Sequence, residues 1–296
     1  MYNKFQSRVI IIGGSGLIGS HLDKYLKNKN INIISTCNKN HIEGMVKFDF
    51  TNDKLTDVID KPMESDIFLI LAAVGNPNWI SENKDEAYKI NVDATKSLIN
   101  QISKFKSKIY FMSSVEVFDG SHEKIVESME PNPLNFYGKT KLIIENYLKE
   151  SYSNYHIIRT GWNTGINSSS RCVIKMTYET LLKKDAKMAF DNSFTITHVE
   201  DLVSAIEEII FSNKKRIVHL CCPESITRTK LADAIIYQSK NGKSMNYKEC
   251  QFSDIVYTEP RSRLNNLRSE YKELNLLKFR KIEEIVNQKV KFLDNL

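Results

Sequence analysis

Apolar positions along this chain follow two alternating rhythms. Short runs at Arg8–Ile12, Ile31–Thr36, Met45–Phe48, Ile67–Leu71, Lys108–Met112 and Tyr155–Arg159 have the length and β-branched content of strands buried on both faces. Between most of them, apolar residues recur at three- and four-residue intervals, notably over Leu17–Lys27, Glu82–Ile102 and Asn135–Lys149, which predicts amphipathic helices. Strand and helix in alternation imply parallel strands joined by right-handed crossovers, with helices on both faces. The predicted fold class is α/β, a doubly wound parallel sheet. After Gly161 the rhythm loosens. Helical patterns persist at Val173–Lys183, Leu202–Phe211, Lys230–Ser239 and Ile282–Phe292, and Arg216–Cys221 is a strand candidate.

The first strand run ends in Gly13-Gly14-Ser15-Gly16-Leu17-Ile18-Gly19, which satisfies both G-x-x-G-x-x-G and G-x-G-x-x-G. Glycines at these spacings allow a tight turn, let backbone approach a pyrophosphate and let the helix pack closely on the strand. The phosphates then sit at the positive end of the helix. Residues 1–160 therefore read as a dinucleotide-binding domain of Rossmann type. Residues 161–296 read as mainly a smaller, interleaved substrate lobe, with 216–221 returning to the first sheet.

An NAD site usually places an acid at the end of the second strand to hold the ribose. Here that position reads Cys37-Asn38-Lys39-Asn40, without an acid, which leans towards NADP over NAD. Asp49-Phe50 after the third strand could meet the adenine, or Asp49 could simply cap the next turn. Leu71-Ala72-Ala73 ends a strand in small residues, where backbone can lie against a cofactor, and Val74 continues towards the substrate. Asn91, inside a long helical pattern, implies a bonding role, because asparagine is mildly unfavourable there.

Composition narrows the class. With 41% hydrophobic and 26% charged residues, the 296-residue chain is ordinary for a globular protein. Its net charge of +6 is spread along the chain rather than gathered on one element, which argues against nucleic-acid binding. No apolar run approaches membrane-spanning length and the N-terminus lacks a signal-peptide core, so a cytoplasmic protein is expected. The five cysteines show no C-x-x-C pairing and the six histidines no ligand spacing, so neither a disulfide framework nor a metal site is expected. Arg159, Arg171 and Arg261 are candidates to clamp a pyrophosphate.

Ser114 follows the fifth strand run, and Tyr137 and Lys141 lie four apart on one helix face. A tyrosine near its reference pKa of about 10 is a poor acid–base catalyst at neutral pH, and a nearby ammonium would lower that value. A serine hydroxyl beside the phenol can hold a substrate oxygen while the proton moves.

At these residues the chain resembles the extended short-chain dehydrogenases/reductases, most nearly the dTDP-4-dehydrorhamnose reductases. The resemblance rests on Met112-Ser-Ser-Val-Glu-Val-Phe-Asp-Gly120, Pro133-Leu-Asn-Phe-Tyr-Gly-Lys-Thr-Lys-Leu142, Ile158-Arg-Thr-Gly-Trp162 and Glu259-Pro-Arg-Ser-Arg-Leu-Asn265. It implies catalytic Ser114, Tyr137 and Lys141, a nucleotide-sugar against Val115, Glu116, Trp162 and Arg261, and reduction of a 4-keto-6-deoxy sugar by NADPH or NADH. A nucleotide-sugar epimerase with bound NAD, and a non-catalytic dinucleotide-binding regulatory subunit, are the alternatives; a homodimer is left open. Three positions depart from the reductase pattern. Ser114-Val115-Glu116 replaces Thr-Asp-Tyr, Glu116 matches a base used by 4,6-dehydratases, and Glu259 replaces an arginine and would repel a phosphate.

Overall fold

Strands buried on both faces should send alternate side chains into two separate cores, and the computed structural model, which describes residues 7–166, 172–212 and 215–296, has this arrangement. The first part of the chain runs β1 (Val9–Ile12), α1 (Leu17–Asn28), β2 (Ile33–Cys37), β3 (Val46–Lys47), α2 (Leu55–Val58), β4 (Ile67–Ile70), α3 (Pro77–Glu82), α4 (Lys84–Tyr88), α5 (Thr95–Ser103), β5 (Lys108–Met112), α6 (Phe136–Ser151) and β6 (Tyr155–Arg159). Val9 and Ile11 of β1, with Ile67 and Leu69 of β4, face a core shared with Leu22 and Leu26 of α1. Their neighbours Ile10, Ile12, Phe68 and Ile70 face the opposite core, with Leu98 and Ile102 of α5 and Ile144 and Leu148 of α6.

The later chain adds β7 (Trp162–Thr164), α7 (Val173–Leu181), β8 (Lys187–Ala189), β9 (Ser193–Phe194), β10 (Ile196–His198), α8 (Val199–Ser212), β11 (Ile217–His219), β12 (Ile226–Thr227), α9 (Arg228–Gln238), β13 (Lys248–Cys250), β14 (Leu264–Asn265) and α10 (Ile282–Leu293). The seven-stranded parallel sheet has the order β11-β6-β5-β4-β1-β2-β3, with β11 paired to β6. Its α8 packs Leu202, Ile206 and Ile210 on the same face as α1. Around it, α7, α9 and α10 enclose a second core that includes Ile174, Leu231, Ile235 and Val286, flanked by two- and three-stranded ribbons.

Strand order reverses between β1 and β4, which opens a crevice beyond their carboxyl ends. The helix predicted over Glu82–Ile102 is interrupted: α4 passes through a π-helical segment, Lys89–Ala94, into α5. Within that segment Asn91 accepts from the Val74 N–H (2.9 Å) and donates to the Val74 carbonyl (2.9 Å), tying the helix to the loop after β4. Such widened turns often accompany functional sites.

Candidate active site

At the crevice, β1 turns sharply at Gly13, whose φ of +93° suits glycine and whose absent Cβ would lie 2.7 Å from the Ala72 backbone nitrogen. Gly14 donates its N–H to the Thr36 carbonyl (2.7 Å), and α1 then begins at Leu17 without a side-chain cap or an acidic first turn. Gly16 differs from Gly13. A Cβ there would meet only the Gly13 carbonyl, at 3.4 Å, so protein packing does not demand a glycine. An uncapped helix start behind a glycine that leaves open space fits a pyrophosphate.

The groove in front has a volume of about 540 Å³. Gly13, Ser15, Gly16, Asn38, Lys39, Asp49, Phe50, Leu71, Ala72, Ala73 and Val74 line it. Val74, expected on the substrate side, thus lies on this side. Gly14 and Gly19 shape the turn itself, Leu17 and Ile18 pack against the core, and Asn91 is buried behind Val74. Asp49 caps the following turn by accepting from the Thr51 N–H (3.1 Å), the Thr51 hydroxyl (2.6 Å) and the Asn52 amide (3.0 Å). These donors, with Asn38, hold its carboxyl below the ordinary carboxylate range.

A second cavity, of about 370 Å³, is lined by Ser114, Val115, Glu116, Tyr137, Trp162 and Arg261, together with Gly75, Asn76, Asn135 and Glu259. Two elements deliver its reactive groups. Past β5, Ser114 caps a single 3₁₀ turn (Val115–Val117), its hydroxyl accepting from the Glu116 N–H (3.2 Å). Helix α6 starts at Asn135, whose side-chain carbonyl accepts from the Gly138 N–H (2.8 Å). Gly138 lets the two elements touch, because a Cβ there would stand 1.9 Å from the Glu116 carbonyl oxygen.

Lys141 is buried behind Tyr137, 5.7 Å from its ring centroid, and donates to the Met112 carbonyl (2.8 Å). Desolvation lowers its pKa to about 7, partly offset by Glu145. The Tyr137 phenol moves opposite to the sequence expectation. Burial, then the Glu116 charge, raises its pKa above the usual tyrosine value. The physical reason is that the phenol is shut away from water in a cavity it shares with the Glu116 carboxylate, while Lys141 donates to the strand end. Glu116 accepts from the Asn135 amide, which also donates to the Pro260 carbonyl (3.3 Å).

Two further expectations change. Glu259 carries an anion to the cavity wall, but its carboxylate accepts from the Phe136 N–H at the start of α6 (3.2 Å) and pairs with Lys84 (3.3 Å). The expected repulsion of a phosphate is therefore offset by two local partners. Arg159 is not free to clamp a ligand, since its guanidinium is buried against Glu145 through two bonds (3.0 and 2.6 Å). Ser113 donates to the same carboxylate (2.5 Å). Arg171 lies outside the described residues. Among the described residues no group of His, Cys, Asp and Glu is placed to hold a metal, and no helix is long and apolar enough to cross a membrane.

The RmlD substrate binding domain family matches residues 7–293, nearly the whole chain. The chain belongs to that family. Methionine adenosyltransferase 2 subunit beta of Bos taurus is 24% identical over 236 residues, 77% of this chain and 71% of that protein. A dTDP-4-dehydrorhamnose reductase of Clostridium acetobutylicum superposes with a TM-score of 0.81 at 25% identity, over 97% of this chain and 99% of that one. A dTDP-4-dehydrorhamnose reductase of Bacillus anthracis in complex with NADP shares the fold, with a TM-score of 0.77 at 22% identity over 95% and 97%. Family and fold class agree with the sequence reading. Within this family's fold, sequence reasoning passed over Asn135 and Gly75 on the cavity wall. Asn135 had a signal, a short polar residue just ahead of a helical pattern. Gly75 had none.

Proposed function

We propose that this chain is an NAD(P)H-dependent reductase of a nucleotide-linked 4-keto-6-deoxy sugar. The observation that carries the reading is the meeting of Ser114, Tyr137, Trp162 and Arg261 on one cavity, with Lys141 behind the phenol. Bound in the glycine groove, the dinucleotide would supply the hydride. Ser114 holds the carbonyl oxygen through its hydroxyl. Tyr137 donates its phenolic proton to that oxygen, and Lys141 neutralises the phenolate left behind. Burial and the Glu116 charge keep the phenol protonated in the neutral range, the form from which it can donate. Trp162 and Arg261 are assigned to the sugar nucleotide.

The test is NAD(P)H oxidation with a panel of dTDP- and UDP-linked 4-keto-sugars, for the wild type and Tyr137→Phe. Turnover is expected in the wild type and a loss of about 10²–10⁴-fold in the variant, the scale for a positioned acid. A variant that keeps most of its activity would assign the proton to another group. A second reading, a non-catalytic dinucleotide-binding subunit, draws on the likeness to methionine adenosyltransferase 2 subunit beta. Dinucleotide binding without turnover of any keto-sugar would favour it.

A further inference from the structure

One buried ion pair takes no direct part in the proton transfer assigned above. Glu145 is 0% and Arg159 1% exposed, and two bonds join them, from Arg159 Nε (3.0 Å) and Nη2 (2.6 Å). Taking two charges out of water is costly, and an apolar pair of similar volume is often as stable or more so. Stability alone therefore does not account for Glu145 and Arg159. The best-attested use of such a pair is to fix the register of one element on another. Here α6 meets β6, and a third partner shows what else is fixed. The Ser113 hydroxyl, on a residue only 2% exposed, donates to the same carboxylate (2.5 Å). Ser113 immediately precedes Ser114.

The end of β5 is held residue by residue on its way to the cavity. Lys141 Nζ donates to the Met112 carbonyl (2.8 Å), the Ser113 N–H to the Ile158 carbonyl (2.7 Å) and the Val115 N–H to the Thr160 carbonyl (2.9 Å). Ser114 accepts from the Glu116 N–H (3.2 Å), which leaves its hydroxyl proton for the cavity it lines. Two of the side-chain ties come from α6, Lys141 at Met112 and Glu145 at Ser113. Both lie on the helix face that carries Tyr137. The helix that presents the acid thus also grips the two residues ahead of the hydroxyl. We propose that Ser113 and Glu145 are positioning residues for the proton transfer: their hydrogen bond sets the Ser114 hydroxyl against the Tyr137 phenol, with Arg159 balancing the buried charge. This rests on the reductase reading above and adds two residues that line neither the cavity nor the dinucleotide groove.

The test is a double-mutant cycle of Ser113→Ala and Ser114→Ala, read as kcat and KM for NAD(P)H oxidation with the keto-sugar that the wild type turns over fastest. Ser113→Ala deletes the tie and leaves the Glu145–Arg159 pair intact. NADPH affinity and the thermal midpoint check that each variant is folded. Ser113→Ala is expected to lower kcat by about tenfold to a hundredfold, the scale for reacting groups misplaced by about 1 Å, with KM and NADPH affinity within about twofold. In the Ser114→Ala background the same substitution should cost less than about twofold, because the hydroxyl it positions is gone. Ser113→Thr, which keeps a hydroxyl, should recover most of the lost turnover. Full additivity of the two losses, or a Ser113→Ala kcat within about twofold of wild type, overturns the assignment and leaves the reductase reading in place. A Ser113→Ala protein that loses NADPH affinity or its folded state makes Ser113 a structural residue and also overturns it. A wild type that binds NADPH but turns over no keto-sugar removes the reductase reading, and this inference with it.

Discussion

Gly13 and Gly16 stand three residues apart and answer to different neighbours. At Gly13 a methyl group would press on the Ala72 backbone in a left-handed conformation, so Gly13→Ala should destabilise the fold by about 1–3 kcal/mol. At Gly16 an added Cβ would meet only the Gly13 carbonyl, in ordinary contact at 3.4 Å, and the φ of −76° accepts any residue. Gly16→Val is therefore expected to keep its thermal midpoint while losing NADPH and NADH affinity in calorimetry. A folded variant that binds both as the wild type does would move the dinucleotide elsewhere. Single residues were legible in the sequence where a residue type and a short spacing carry the chemistry, as with Gly13 to Gly19, Ser114, Tyr137 and Lys141. Arg159 was not, because its pairing with Glu145 is set by where β6 meets α6 in the fold. Glu259 misled for a related reason: its charge reads as repulsive until Lys84 and the start of α6 are beside it.

Helix α6 is the element on which the cavity depends. Tyr137, Lys141 and Glu145 follow one another at four-residue intervals, so one face presents the phenol, the ammonium and the carboxylate that holds Arg159 and Ser113. That face works only because Gly138 allows the helix to touch the Ser114–Glu116 turn. Gly138→Ala must separate them, and is expected to lose about 1–3 kcal/mol of stability in denaturant titrations. Any turnover should fall much further than NADPH affinity, since the groove lies on other elements. Equal stability and activity would mean that the contact is not what aligns the two groups. Lower on the same face, Glu145→Ala leaves Arg159 buried and unpaired, for an expected loss of about 3–5 kcal/mol. Helix α6 was legible in the sequence because Tyr137, Lys141, Ile144 and Leu148 recur at three- and four-residue intervals. The helix predicted over Glu82–Ile102 was legible too, but its π segment, where Asn91 reaches Val74 across 17 residues, was not.

Across the whole molecule, the doubly wound sheet was legible because four- and five-residue apolar runs buried on both faces leave a strong trace in sequence. The ribbons of the later chain have strands of two or three residues, too short for periodicity to declare. What joins these parts includes three buried histidines. His219 of β11 donates through Nδ1 to the carbonyls of Ile125 (3.3 Å) and Arg268 (3.0 Å), while its Nε2 accepts from Arg159 (3.4 Å). His156 donates to the Lys215 carbonyl (2.7 Å) and stacks on Tyr110, and His198 at the end of β10 meets Arg280 ahead of α10. Burial lowers each pKa to about 4, with Arg159, Lys108 and Arg280 adding repulsion at His219, His156 and His198 respectively. These groups bind their protons in the unfolded chain near pH 6.5 but in the folded one only near 4. The unfolded state therefore gains protons first, and stability must fall as pH drops through that window. The slope is up to about 1.4 kcal/mol per pH unit for each imidazole. Above pH 6.5 the histidines contribute no slope. Buried Lys141, with its pKa lowered to about 7, adds a slope of the same sign that fades below that value. Denaturant midpoints at pH 7.5, 6.0 and 5.0 should therefore decline throughout, the imidazoles taking over below about 6.5, before most carboxylates begin to titrate. His219→Gln, weaker at pH 7.5 through its lost contacts, should decline less steeply. A wild-type midpoint that is level down to pH 5 would show that these imidazoles titrate normally and that the seams do not exclude the proton.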